Sequence, residues 1–274
     1  MKTCKKIAAV LLAAAMLLSL TACGQGEADA APSKIDEIKE AGVLVVGTSA
    51  DYPPYEFHAE VDGEDTIVGF DIAIAQYFAD SLGVELEVVD MTFNSLLISL
   101  AEGEFDLVMA GLTPDEERKK AVDFTDVFFV NEQVVLIRAE DAEKYQTTED
   151  LAGCKGAAQV GTVQMDIAAD IVGEENTVGL VRFTDSIMEL KSGKVDCVFT
   201  NTLIASAYEA SDPELMVQDV GIEYENTGFA GAVQKGNEEF VEYLNGVIAE
   251  MQEKGLIEQY VAEAQQLAGV EDAA

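Results

Sequence analysis

The segment AGLTPDEERKKAVDFTD, Ala110 to Asp126, places Arg118, one of only three arginines in the chain, just behind an apolar, strand-like run. Thr113 precedes Pro114, which biases it to an extended backbone. Asp115 is then a candidate cap for a helix beginning at Glu116, with Arg118 in its first turn. A guanidinium beside the free amides of a helix start suits a carboxylate, which it can grip through two parallel hydrogen bonds. The hydroxyl of Thr113 adds a further donor. An arginine in an acidic helix more commonly pairs with neighbours such as Glu116, Glu117 or Asp123, and such surface pairs are weak. The position at the carboxyl end of a strand is what argues for a site.

A second group of residues is aromatic. In TSADYPPYEF, Thr48 to Phe57, a Pro-Pro turn carries Tyr52, Tyr55 and Phe57, and Phe93 follows the strand-like VELEVV. Such rings serve cores more often than sites, and the Pro-Pro loop singles out Tyr52 for a site. Asp71 in GFDIAIA reads as a structural helix cap. His58, the lone histidine, reads as solvated in a polar loop, HAEVDGED, without a metal or catalytic partner. Hydrolase, nucleotide and metalloprotease signatures are missing, so the chain is expected to have no catalytic residue, no metal and no cofactor.

The elements that must position these residues alternate. VLVVG is strand-like, and GFDIAIAQYFADSLG carries Ile72, Ala75, Phe78, Ala79 and Leu82 on one helical face, with Gly83 suited to the left-handed position that ends the helix. The alternation continues to a tail of two helices that starts at Asn237, a candidate cap. This pattern predicts an α/β fold with mainly parallel sheets. SLAEGEFDLVMAG and ELKSGKVDCVFTN repeat a helix, a glycine and an aspartate three residues on, so that Gly103/Asp106 matches Gly193/Asp196. Two lobes of similar design follow. In open α/β sheets ligands sit beyond the carboxyl ends of strands, so Thr48–Tyr55, Ala110–Thr113, Thr162–Gln164 and Thr200–Asn201 are expected to face one cleft.

The formal charge of −36, from 52 acidic and 16 basic residues, repels nucleic acid. At the amino end Lys2, Lys5 and Lys6 precede an apolar run, Ile7 to Leu20, that is short for a membrane span and reads as an export signal over residues 1–22. LTAC resembles a lipobox, which makes Cys23 the lipid attachment, followed by a tether over residues 23–32. Acyl chains hold a protein on a membrane without spanning it. Cys154 and Cys197 read as small buried thiols, and a bridge between them is open outside the cytoplasm.

GTSADYPPYEF, GFDIAIA, GEFDLVMAGLTPDEERKKAVDFTD and GKVD, in this order, resemble the polar amino-acid-binding members of the bacterial extracellular solute-binding proteins, family 3, which feed ABC importers. The resemblance runs from about Ser33 to Ala268. It implies a periplasmic-binding-protein-like fold of type II, with lobe 1 from residues 33–131 and 226–272 and lobe 2 from residues 132–225. The two crossing strands would act as a hinge near Val130–Val134 and Glu223–Asn226. It further implies that Arg118, Thr113 and the amides of Gly111 and Thr162 hold a ligand carboxylate, and that Tyr52, Phe93 and Ser49 contact its side chain. Family members usually carry an acid at position 201 for the ligand's ammonium, and often another at 49. Asn201 and Ser49 stand there, so the ammonium partner is open, with Asp51, Glu56 or Asp185 as candidates to supply the charge. The implied protein is a monomeric lipoprotein outside the cytoplasm that hands a small carboxylate-bearing solute to a permease. The alternatives are a dehydratase-like enzyme on the same scaffold and a ligand sensor.

Overall fold

The computed structural model describes residues 32–224 and 228–269. The segments expected to be the export signal, the lipid attachment at Cys23 and nearly all of the tether lie outside the described residues, as does Asn226. Among the described residues no helix is long and apolar enough to cross a membrane, and no group of three or more His, Cys, Asp or Glu side chains could hold a metal.

A short helix, α1 (Lys34–Ala41), leads into β1 (Val43–Thr48), whose last three residues are buried. β1 runs parallel to β5 (Glu85–Asp90) and β6 (Leu107–Val108). β13 (Ala232–Gln234) comes back from the far end of the chain and inserts antiparallel between β6 and β7 (Val122–Phe124), giving the order β5-β1-β6-β13-β7. The second lobe has the order β10-β9-β11-β8-β12, from β8 (Gln133–Arg138), β9 (Gly156–Gln159), β10 (Thr177–Leu180), β11 (Cys197–Asn201) and β12 (Leu215–Gln218). β9 is parallel to β10 and β11, whereas β8 is antiparallel to β11 and β12. The sheets are therefore mixed rather than mainly parallel. The antiparallel strands β8 and β13 are the ones the chain enters just after passing from one lobe to the other, so they run against the βα repeat of the lobe they join.

The helices follow the periodicity of the sequence. α2 (Phe70–Leu82) buries Phe70, Ile74, Ala75, Phe78 and Ala79, and stops at Gly83, whose φ of 75° lets its amide reach the carbonyls of Ala79 and Asp80. α3 (Phe93–Glu102) stops in the same way at Gly103, φ 83°. α4 (Arg118–Ala121) is a short turn between β6 and β7. In the second lobe α5 (Val163–Val172), α6 (Phe183–Lys191) and α7 (Thr202–Ser211) follow β9, β10 and β11. The tail forms α8 (Glu238–Glu253) and α9 (Leu256–Leu267), packed on the first lobe through contacts such as Tyr77 Oη to Glu250 Oε1 at 2.8 Å. Asn237 precedes α8 without capping it through its side chain, which donates instead to the carbonyl of Gln234.

One element was not expected. β2 (Asp51–Tyr52), β3 (Glu56–Val61) and β4 (Glu64–Val68) form a small antiparallel sheet, so His58 lies on a strand and not in a polar loop. The signal is the Asp62–Gly63 pair, both at positive φ (54° and 86°), the pattern of a two-residue hairpin turn.

Between the lobes the chain pairs at Phe129 and Phe229, with the amide of Phe229 donating to the carbonyl of Phe129 at 2.7 Å. Val130 to Glu132 and Glu223 to Tyr224 lie outside the strands, the carbonyl of Glu132 accepting from the amide of Thr202 at 3.0 Å, and Gln133 already belongs to β8. The thiols of Cys154 and Cys197 are free, and burial pushes that of Cys197 well above the ordinary range.

The repeated glycine–aspartate pair has one physical role in both lobes. Oδ2 of Asp106 accepts from the amide of Val45 at 2.9 Å, and Oδ2 of Asp196 accepts from the amide of Lys155 at the same distance. Each carboxylate satisfies the amide at or just ahead of a central strand. Asp106 also pairs with Lys34 at 2.6 Å. Asp106→Ala is expected to destabilise the fold by about 1–3 kcal/mol, read as a lower urea midpoint at unchanged slope, because it removes a charged acceptor from a backbone amide. The same change at the more exposed Asp196 is expected to have a smaller effect.

Candidate functional site

The strand ends converge as the α/β rule requires. Ser49 and Tyr52 from the β1–β2 region, Glu56 from β3, Phe93 at the start of α3, Ala110, Gly111 and Thr113 after β6, Arg118, and Gln159, Thr162, Val163 and Gln164 from the second lobe line one cavity. Its free volume is about 10 Å³, room for roughly one water molecule.

Arg118 faces this cavity and not bulk solvent, its side chain being 11 % exposed. One terminal nitrogen donates to the carbonyl of Thr113 in its own lobe and the other to the carbonyl of Gly161 across the cleft at 2.7 Å. Nε lies 3.3 Å from Asp115, and the guanidinium stacks on the ring of Phe93 with its centre 5.6 Å from the ring centroid. Burial draws its pKa down and Asp115 works against that. Regular helix begins at Arg118 rather than Glu116, and Oδ1 of Asp115 accepts from the amides of Glu117 and Arg118 at 2.9 and 2.7 Å.

The amides named in the sequence analysis are engaged within the protein. That of Gly111 donates to Oδ2 of Asp71 at 2.8 Å, and that of Thr162 turns to the carbonyl of Gln159 at 3.3 Å. Asp71 is thus no cap of α2. It reaches from that helix to fix the loop after β6, and burial raises its pKa to about 7. The second lobe instead presents the start of α5, where Val163 and Gln164 line the cavity; their amides precede the helix's own ladder, whereas that of Met165 already donates to the carbonyl of Thr162 at 3.1 Å. Gly111 sits at φ 53°, and a Cβ there would come within 3.4 Å of the Tyr52 ring, so glycine lets the loop approach the aromatic wall.

Tyr52 packs edge-on against Phe183 of the second lobe, with centroids 4.9 Å apart, and its hydroxyl accepts from Nδ2 of Asn201 at 3.0 Å. Phe93 lines the same cavity beneath Arg118. Ser49, 2 % exposed, points its hydroxyl to Asp51 at 3.2 Å. Asn201 is not among the cavity residues. Its carbonyl oxygen caps α7 through the amide of Ile204 at 3.1 Å and also accepts from Asn131 and Tyr55, so a candidate acceptor for a ligand ammonium is consumed in tying the lobes together.

Of the three acids left open for that charge, Asp185 is exposed and away from the cavity. Asp51 spans the lobes, accepting from the amide of Phe183 at 2.7 Å. Glu56 lines the cavity, is 1 % exposed, and its Oε2 accepts no hydrogen bond from any described residue. Burial, then Asp71, Asp51 and Asp90, push its pKa well above the carboxylate range. Arg182 pairs with Asp90 at 3.4 Å. Sequence reasoning placed Gln164 at the cleft within Thr162–Gln164 but missed Gln159, whose polar side chain ends a strand without belonging to any recognised motif.

Residues 44–263 match the family described as "Bacterial extracellular solute-binding proteins, family 3". The chain belongs to this family. It is 33% identical over 259 residues to the arginine-binding extracellular protein ArtP of Bacillus subtilis (strain 168), a match covering 93% of this chain and 95% of that one. Its fold is similar, at a TM-score of 0.83 and 34% identity, to an amino acid ABC transporter substrate-binding protein from Streptococcus pneumoniae Canada MDR_19A bound to L-arginine. That likeness covers 86% of this chain and 98% of the other. It is also similar, at a TM-score of 0.77 and 31% identity over 84% of this chain and 99% of the other, to an ancestral amino-acid-binding protein described as a precursor of cyclohexadienyl dehydratase. Membership makes this two-lobed chain an extracytoplasmic solute-binding protein, and the family relatives are binding proteins rather than enzymes.

Proposed function

We propose that this family 3 protein captures an amino acid with a cationic side chain and delivers it, as the monomeric receptor of an ABC importer, to a membrane permease. The reading includes a lipid on Cys23 that keeps it at the membrane. One observation carries the choice of ligand: the same cavity holds the guanidinium of Arg118 and the buried, unpartnered carboxylate of Glu56. A ligand with a carboxylate at one end and a cation at the other pairs with both. The arginine-binding relatives support this reading.

In it, Arg118 exchanges the carbonyl of Gly161 for the ligand carboxylate, helped by Thr113, by the Gly111 and Thr162 loops and by the amides that open α5. Tyr52 and Phe93 flank the ligand's aliphatic stem, with Ser49 at its edge, and Glu56 takes the cationic end of the side chain. Since about 10 Å³ does not hold an amino acid, entry requires the lobes to part about the Phe129–Phe229 connection and close again.

A thermal-shift titration tests this. L-Arginine or L-lysine is expected to raise Tm, since a ligand at a hundred times its Kd adds about 2.7 kcal/mol of stability, whereas L-glutamate and L-leucine are expected to leave it unchanged. Stabilisation by neutral or acidic amino acids alone would refute the reading.

A further inference from the structure

Resting on the reading of a cationic ligand, we propose that Glu56 carries a proton in the ligand-free protein and that the arriving cation expels it, so that capture exchanges one proton for one positive charge. The geometry that carries this is the setting of the carboxyl group. It lies at the inner wall of the cavity, 1 % exposed, with Oε2 unbonded to any described residue.

The titratable and charged groups around it are acids and phenols for the most part: Asp51 and Tyr52 on β2, Tyr55 in the following turn, Asp71 on α2 and Asp90 at the end of β5. From the second lobe the cavity receives the neutral amides of Gln159 and Gln164. The cation that shares the cavity among the lining residues is Arg118, whose three nitrogens face Thr113, Gly161 and Asp115. A carboxylate so withdrawn from bulk solvent, with acids for neighbours and no paired cation among the described residues, gains little to stabilise its charge, so the neutral acid is the stable form. Its raised pKa, with burial as the first cause and the acids Asp71, Asp51 and Asp90 next, agrees with this. A guanidinium or ammonium placed against Glu56 reverses the balance, because the ionised form then gains a charge-assisted hydrogen bond. The Oε–H bond breaks, its electron pair stays on the carboxylate, and the proton leaves to solvent buffer. No other bond changes.

The test is calorimetric titration of the full chain with L-arginine at pH 7 in buffers of different ionisation enthalpy, phosphate and Tris. The apparent binding enthalpy is expected to shift with the buffer by an amount equal to release of about one proton per ligand. Affinity should fall about tenfold for each unit of pH between 7 and 5.5, as one-proton linkage requires. Glu56→Gln, nearly the same in shape, should bind more weakly, with an enthalpy that no longer depends on the buffer. Wild-type binding whose enthalpy is the same in both buffers would overturn the proposal while leaving the ligand reading intact. Undiminished proton release from Glu56→Gln would overturn the assignment to this residue. If neither L-arginine nor L-lysine binds the wild type, the ligand reading falls and this proposal with it.

Discussion

Arg118→Ala is expected to weaken binding of L-arginine by thirtyfold or more, measured by calorimetry on protein of unchanged fold. Truncating one partner of a buried, hydrogen-bonded charge pair typically costs about 2–5 kcal/mol, and thirtyfold is the lower end of that range. The guanidinium is 11 % exposed and stacked on Phe93, so little water can take its place. Arg118→Lys is expected to recover only part of the loss, because an ammonium lacks the planar fork that meets a carboxylate through two parallel bonds. The same substitution also removes the link from the first lobe to the Gly161 carbonyl of the second, so Arg118→Ala should relax the ligand-free protein toward a more open shape in solution scattering. Unaltered affinity would remove Arg118 from the site altogether.

The other large effect concerns stability against pH. Asp71 is completely buried, and its pKa lies at about 7 rather than the ordinary 3.8, with burial as the cause and the Gly111 amide as the opposing influence. An acid that is harder to ionise in the folded state binds more protons folded than unfolded. Its contribution is therefore neutral below pH 3.8 and becomes progressively destabilising as pH rises through that value to about 7, where the loss levels off. The full displacement is worth about 4 kcal/mol as an order of magnitude. Asp71→Asn keeps an acceptor for the Gly111 amide and removes the ionisation. It is expected to match the wild type near pH 4 and to exceed it by a few kcal/mol at pH 8 in urea unfolding. Equal stability at both pH values would show that the carboxyl group ionises as freely folded as unfolded. Glu56 works in the same direction, since burial raises its pKa too.

Much of this architecture was legible from periodicity and punctuation. The apolar stripe Ile72, Ala75, Phe78, Ala79, Leu82 and the glycine after it describe α2 as it stands, because helix period and a left-handed cap are both local properties. The Gly103/Asp106 and Gly193/Asp196 pairs revealed the two-lobed design for a reason that only the structure supplies, the matching aspartate bonds to strand amides. Mixed pairing in the sheets was not legible, since strand direction depends on where the chain re-enters a lobe and no residue type records that. The hairpin over residues 56–68 was masked by its acids, although Asp62–Gly63 marked its turn.

At the site, the place of Arg118 followed from a strand end and an Asp cap. The fate of individual donors did not. The Gly111 amide meets a carboxylate 40 residues away in sequence, and the Asn201 carbonyl is claimed by partners from both lobes, contacts that only tertiary packing creates. Glu56 looked like one acid among 52, and it stands apart only once its burial and its neighbours are known.

The placement of β13 between β6 and β7 bears on how the chain matures. The second sheet is encoded in one uninterrupted run and can assemble as soon as that run has been synthesised. The first sheet has a slot that stays empty until residues 232–234 emerge, so the half of the molecule made earliest is the last to lock.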